Sequence, residues 1–339
     1  MRRFSRFALF GLVIIAVAYV GYWFYAASLV RSGIEDWIMA ERQRGATVQA
    51  GDISITGFPF TINASSRDIA ITRPDGLMWE ANGLTASALP WSWEKIDFTL
   101  TGGQRLVAPG QPMITGTAQG GEGEAWISPE GRIIGFNVAL DEVVVSAPQT
   151  AGTITLAGVD IGFHEVPSGE GEGQPDLVMS LDAREAVLPQ TPLSTLGNRV
   201  ESAGLGIRIT APVPQAARAP MLEVWRDSGG EVLVDRLSLD WGPLSLDGEG
   251  RLTLDEELQP EGVLNARVAG FVELIDGLAA EGILEDRAAS FAKAGLTLLA
   301  GPAGEDGTVR LAAPIVIENG HASLGPVPLG PVPRIDWRR

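Results

Sequence analysis

Hydrophobic positions follow two regimes along the chain. From Phe7 to Val30, twenty-four successive residues carry no charge. A helix of that length rises about 36 Å, enough to cross a hydrocarbon core of roughly 30 Å with some tilt. Twelve of these residues are Leu, Ile, Val or Phe; each favours insertion by about 0.3–0.6 kcal/mol near the membrane centre, on the order of −4 to −7 kcal/mol in sum. Arg31 to Arg44 keeps helical spacing, with Ile34, Trp37, Ile38 and Glu41 on one stripe and Gly45 as a stop. The period then drops to two. Val48, Ala50, Ile53 and Ile55 alternate up to a turn at Gly57-Phe58-Pro59-Phe60, and the alternation resumes through Ile69, Ile71, Ile96, Phe98, Leu100 and Ile134 to Leu140. Gly and Pro punctuate it every 8–15 residues, which predicts many short antiparallel strands with one buried face each.

The second half alternates more strictly. Leu237, Leu239 and Trp241 lead through Gly242-Pro243 to Leu244 and Leu246, then to Leu252, Leu254, Leu264, Ala266 and Val268, a three- to four-stranded meander. Helical spacing returns at Phe271–Leu278 and Glu285–Leu299, and strand spacing after Val309. The proline-rich run from Gly325 to Pro333 is incompatible with a helix or a central strand and predicts an edge segment. The fold class expected is mainly β (β-rich α+β): an N-terminal transmembrane helix, then curved antiparallel sheets of short strands with a few packed helices near 271–299. The division expected is a cytoplasmic tail at 1–6, a span at 7–30, a helical stalk at 31–45, a first β-rich half at 46–167, an acidic Gly-rich linker at 168–176 and a second half at 177–339.

Charge orients the span. Arg2, Arg3 and Arg6 precede it, whereas Arg31 is followed by Glu35 and Asp36. The positive-inside rule then keeps the N-terminus in the cytoplasm and exports the rest of the chain. Tyr19, Tyr22, Trp23 and Tyr25 gather at the exit end, where an aromatic belt belongs. A cleaved signal peptide is the rival reading, with Ala16-Val17-Ala18 as its site, but the apolar run continues past the ~7–15 residues of a secretory h-region.

The net charge of −17 argues against nucleic acid as a partner. Without cysteine there is no disulfide, thiolate nucleophile or Cys-based metal site. The two histidines, His164 and His321, belong to no metal-spaced pair and read as strand and turn residues. No Gly-x-Ser-x-Gly motif occurs, and Gly102-Gly103, Gly120-Gly121 and Gly229-Gly230 lack the Lys-Ser/Thr of a phosphate loop. The segment Ser168–Asp176 alternates acids with Gly but lacks the ligand count of a calcium loop. Acid groups such as Asp255-Glu256-Glu257 read as solvated turns. Trp79, Trp91, Trp93, Trp126, Trp225 and Trp241 could stack on sugars but suit strand packing better. No catalytic, cofactor-binding or metal-binding residue is assigned, and no cofactor is expected.

Several landmarks together carry a resemblance. They are the Gly57-Phe58-Pro59-Phe60 turn, Leu89-Pro90-Trp91, the block Trp225-Arg226-Asp227-Ser228-Gly229-Gly230, and Leu237–Leu244 with its Trp-Gly-Pro-Leu ending. Gly250–Asp255, Pro260-Glu261-Gly262, Ala313-Pro314-Ile315 and Asn319-Gly320 extend it. The chain resembles a bacterial membrane-anchored family known only as domain-of-unknown-function family 2125 (DUF2125), over most of residues 46–337. That family implies no activity and no site residues. A looser similarity is to the AsmA-like envelope proteins, which implies curved sheets with an apolar inner groove that handles lipid. Three functions are therefore weighed: a non-enzymatic, membrane-anchored envelope protein sheltering lipid or another apolar ligand in a β-groove; a scaffold or interaction module of an envelope assembly; and an envelope hydrolase using paired carboxylates.

Overall fold

The computed structural model describes residues 2–108, 114–146, 152–167, 175–189, 194–210, 213, 219–282, 284–300, 309–325 and 327–337. The chain is mainly β, the strand pairs among the described residues are antiparallel within each unit, and it divides into two compact units, Met1–Gln149 and Thr150–Arg339.

The first unit opens with one unbroken helix, α1 (Arg2–Gln43). Its sheet comprises β1 (Thr47–Gln49), β2 (Ser54–Thr56), β3 (Ile62–Thr72), β4 (Met78–Leu89), β5 (Ser92–Ala108), β6 (Ile114–Ile127) and β7 (Ile133–Ser146). The order is β1-β3-β4-β5-β6-β7, and β2 also pairs with β3. Residues 31–43, expected as a stalk, lie along this sheet. Trp23, Ala26 and Ala27 of α1 are buried with Ile62 at one end of β3. At the other end the Arg42 guanidinium donates to the Val48 carbonyl at 2.7 Å, and Gly45 abuts the Pro74 ring. From Trp23 to Gly45 a helix rises about 33 Å, and from Ile62 to Thr72 a strand advances about 33 Å. The two lengths match, so the helix runs along β3 from one end of the strand to the other.

The strands are longer than the punctuation predicts; β5 alone runs 17 residues. Glycines that read as turns lie inside strands. Gly102, with φ 72°, sits in a bulge where the β4–β5 and β5–β6 registers shift. Single acidic residues do the same in other strands: Asp68, Glu142 and Glu185 have φ of 51°, 49° and 48°. Each such residue switches which side chains face which side. In β3, the helix-facing positions change from Ala64 to Ile69 and Ile71 across Asp68; in β4 they change from Ala86 and Leu84 to Ala81 and Trp79.

The second unit is a meander of β8 (Thr153–Val166), β9 (Asp176–Val187), β10 (Arg199–Ile209), β11 (Val232–Trp241), β12 (Leu244–Leu254), β13 (Pro260–Ala269), β14 (Arg310–Glu318), β15 (His321–Leu324) and β16 (Val327–Pro331), paired in that order. The Gly242-Pro243 turn and the strands around it fall where the alternation places them. The segment 168–176 joins two paired strands, β8 and β9; its residues 168–174 lie outside the described residues. A helix absent from the periodicity, α2 (Ala219–Asp227), precedes β11. It is held by Leu222 and by Trp225, whose Nε1 donates to the Thr210 carbonyl at 3.0 Å. Two further helices, α3 (Phe271–Ala280) and α4 (Asp286–Leu299), sit where helical spacing returns, and they cover the apolar face of β12–β14.

Candidate apolar groove

The first unit carries a groove between α1 and its sheet. Ile34, Trp37 and Ile38 form the helix wall. Val48, Ile69, Ile71, Trp79 and Leu84 form the sheet wall, with the cross-strand pair Ala64 and Ala86 at its floor. The volume is about 250 Å³. Ligand cavities run roughly 300–1,000 Å³, so the space suits one slender apolar chain. Small residues make the room: Ala64 and Ala86 stand opposite each other where larger side chains would close it.

The same face continues across the sheet by direct pairing, Ala86 with Phe98 and Trp79 with Leu106. In β6 the facing positions are glycines. A Cβ on Gly123 would lie 2.5 Å from the Phe98 ring, and one on Gly121 would lie 2.8 Å from Leu140. The Gly-rich run at 120–123 thus serves side-chain packing across strands.

The end of the sheet next to Trp23 is built by two turns. In the Gly57–Thr61 turn the Phe60 and Thr61 amides both donate to the Gly57 carbonyl, at 3.1 and 3.0 Å. Gly57 has φ 104°, and a Cβ there would lie 2.6 Å from the Thr61 carbonyl oxygen, so only glycine fits. The second turn, Pro90-Trp91, closes the β4–β5 hairpin. Side chains of α1 cap both. The Tyr19 hydroxyl donates to the Pro59 carbonyl, the Tyr22 hydroxyl to the Pro90 carbonyl, and Trp23 Nε1 to the Thr61 carbonyl at 3.0 Å. Phe58 stands edge-on to Trp23 with centroids 5.4 Å apart and stacks on Phe24. Outward from these contacts Phe58, Phe60, Leu89, Trp91 and Trp93 are exposed.

Charge begins farther along this end. Lys95 donates to Glu124 at 2.6 Å and lies 3.2 Å from Asp97; the two hydrogen bonds hold its ammonium pKa above the ordinary lysine value. At the β6–β7 tip, a hydrogen bond from Ser128 holds the Glu130 carboxyl below its ordinary value.

The residues weighed from sequence fall elsewhere. His321 follows a turn with Asn319 and Gly320 at φ 52° and 71°, and its Nδ1 lies 3.0 Å from the Asn319 carbonyl. His164 lies in β8 opposite Val178. Asp255 accepts from the Gln259 amide at 2.7 Å, closing a turn. Trp241 donates to the Gly197 carbonyl at 3.0 Å. Of the six tryptophans weighed, Trp79 enters the groove. The acids Asp235, Asp247 and Glu249 share a shallow depression of the second unit with Arg236 and Arg267. Arg236 bridges there to Asp182 at 2.7 Å, and that bond raises its pKa. The second unit also presents Met179, Leu181 and Leu205 exposed on paired strands.

These features define a class: a β-sheet protein with an N-terminal helix long and apolar enough to cross a membrane, whose sheet and helix enclose an apolar groove. The chain belongs to the family described as "Uncharacterized protein conserved in bacteria (DUF2125)", whose model matches residues 23–333. The match starts at Trp23, which is buried against the sheet. No curated protein and no solved structure matches the chain, so the AsmA-like similarity gains no support from these comparisons.

Proposed function

We propose that this is a non-enzymatic bacterial envelope protein, anchored in the inner membrane by α1 with the bulk of the chain in the periplasm, and that its groove shelters the acyl chain of a lipid. The groove carries the reading. It is lined almost wholly by apolar side chains, and one wall continues the helix that would cross the membrane. A space of this shape, beside a membrane span, gives an acyl chain an apolar surface while its headgroup stays wet. The exposed apolar residues Leu106, Met179, Leu181 and Leu205 add surface of the same chemistry in each unit.

Native mass spectrometry of the gently extracted full chain tests this. Lipid adducts are expected on the wild type, and Ala64→Phe or Ala86→Phe, which fill the groove floor, should lose most of them. A wild type without lipid, or variants retaining it undiminished, would overturn the reading.

The alternatives have less support. A partner strand docking at 325–333 would need free backbone donors, but Pro328 and Pro331 of β16 have no N–H and blunt that edge. A paired-carboxylate hydrolase would need two acids flanking one bond in a cleft, whereas Asp235, Asp247 and Glu249 line a shallow depression together with Arg236 and Arg267.

A further inference from the structure

The aromatic residues of α1 that hold the two turns lie deep along the span. If α1 crosses the membrane from Phe7, then Tyr19 lies about 18 Å and Trp23 about 24 Å along the axis, both short of the roughly 30 Å hydrocarbon thickness. Whatever these side chains hydrogen-bond therefore lies at the membrane boundary or inside it. What they bond is the Pro59, Thr61 and Pro90 carbonyls of the sheet's turns.

From this we infer that the end of the sheet formed by Gly57–Thr61 and Leu89–Trp93 is seated in the outer leaflet of the membrane that α1 spans, with lipid as its partner. The inference rests on the reading of α1 as a membrane anchor. Three independent features of the rim fit it. Backbone polar groups near hydrocarbon must be satisfied within the protein, and here the helix supplies the donors for three turn carbonyls. Two of those carbonyls belong to prolines, which bring no N–H that would need a partner. The outward side chains are of the interfacial type: Phe60 is 72% and Trp91 59% exposed, and neither Thr56–Ser66 nor Ser87–Trp93 contains a charged residue. A water-facing rim would expose an uncharged aromatic patch of the kind that soluble surfaces avoid. The sheet's opposite end differs: the β3–β4 turn carries Arg73 and Asp75, roughly 33 Å away along β3.

The chain has no cysteine, so single-cysteine variants of the full chain each carry one nitroxide label. Phe60→Cys, Trp91→Cys, Phe10→Cys in the span and Asp75→Cys at the far turn are all exposed positions whose substitution spares the core. In reconstituted bilayers, the ratio of collision with oxygen to collision with a water-soluble nickel chelate reports lipid or water around each label. Labels at Phe60 and Trp91 are expected to give ratios nearer to that at Phe10 than to that at Asp75. Water-like ratios at both rim positions with a lipid-like Phe10 would overturn the seated rim and leave the anchor standing. A water-like Phe10 would overturn the anchor and this inference together.

Discussion

Leu296→Ala is expected to destabilise the second unit by about 3 kcal/mol, within the 2–5 kcal/mol of buried leucine truncations, whereas Leu298→Ala should change stability by less than about 0.5 kcal/mol. The two leucines sit two residues apart on α4 and undergo the same chemical change, so helix propensity cancels between them. Their surroundings differ: Leu296 is 1% exposed in the cluster with Phe271, Ile275 and Leu311, and Leu298 is 87% exposed. Removing Leu296 leaves a cavity between α4 and β14, and only partial collapse is open to a site backed by a sheet. Denaturant unfolding of the full chain in detergent, followed by near-ultraviolet circular dichroism, reads the difference as a shift in midpoint. Equal midpoints for the two variants would show that α4 does not cover β12–β14 as described.

That cluster is legible in the sequence. Phe271–Leu278 and Glu285–Leu299 repeat apolar residues at helical spacing and are separated by Gly282, so periodicity alone places both helices. The meander before them is legible for the same reason, since each strand from Leu237 to Val268 keeps one parity on the covered face, odd through Trp241 and even from Leu244. The first unit reads less well because its strands contain bulges. Asp68 in the left-handed region moves the helix-facing set from Ala64 to Ile69 and Ile71, and a period-2 template reads that slip as the end of one strand and the start of another. Gly102-Gly103 misleads in the same way. α2 leaves no signal because nine residues containing a proline hold too few turns to show a period.

The groove is hidden for a different reason. In a run where nearly every residue is apolar, the stripe that meets protein cannot be told from the stripe that meets lipid. Tyr19, Tyr22, Trp23, Ala26, Ala27, Val30, Ile34 and Ile38 recur at three- and four-residue spacing from inside the span into the segment expected as a stalk. The signal available is the polar tips. Three aromatic side chains with hydrogen-bonding ends on one face of a span are more than a belt requires, and here each has a turn carbonyl to satisfy.

Trp23→Ala is expected to cost about 3 kcal/mol and to loosen the groove with it. The indole is 4% exposed, packs with Ala26, Ala27 and Ile62, meets Phe58 edge-on and donates to the Thr61 carbonyl. Truncating a buried aromatic residue costs about 3–5 kcal/mol in water-surrounded cores. The lower figure applies here because, beside a membrane, lipid as apolar as the core can fill part of the space that the indole vacates. The orphaned Thr61 carbonyl accounts for part of the cost, about 1–3 kcal/mol. Trp23→Phe keeps one ring in the cluster while removing the donor and the volume of the second ring, so its cost should lie between wild type and Trp23→Ala. The functional consequence follows from α1 being at once anchor and wall. Ile34, Trp37 and Ile38 keep their distance from Ile69 and Trp79 only while the helix is clamped at both ends, by Trp23 at one and by Arg42 on Val48 at the other. Releasing one clamp should raise amide exchange in β2 and β3 and lower the lipid retained in native mass spectrometry, with Trp23→Phe intermediate in both. If Trp23→Ala matched the wild type in exchange and in retained lipid, the helix would not be the wall of a ligand site.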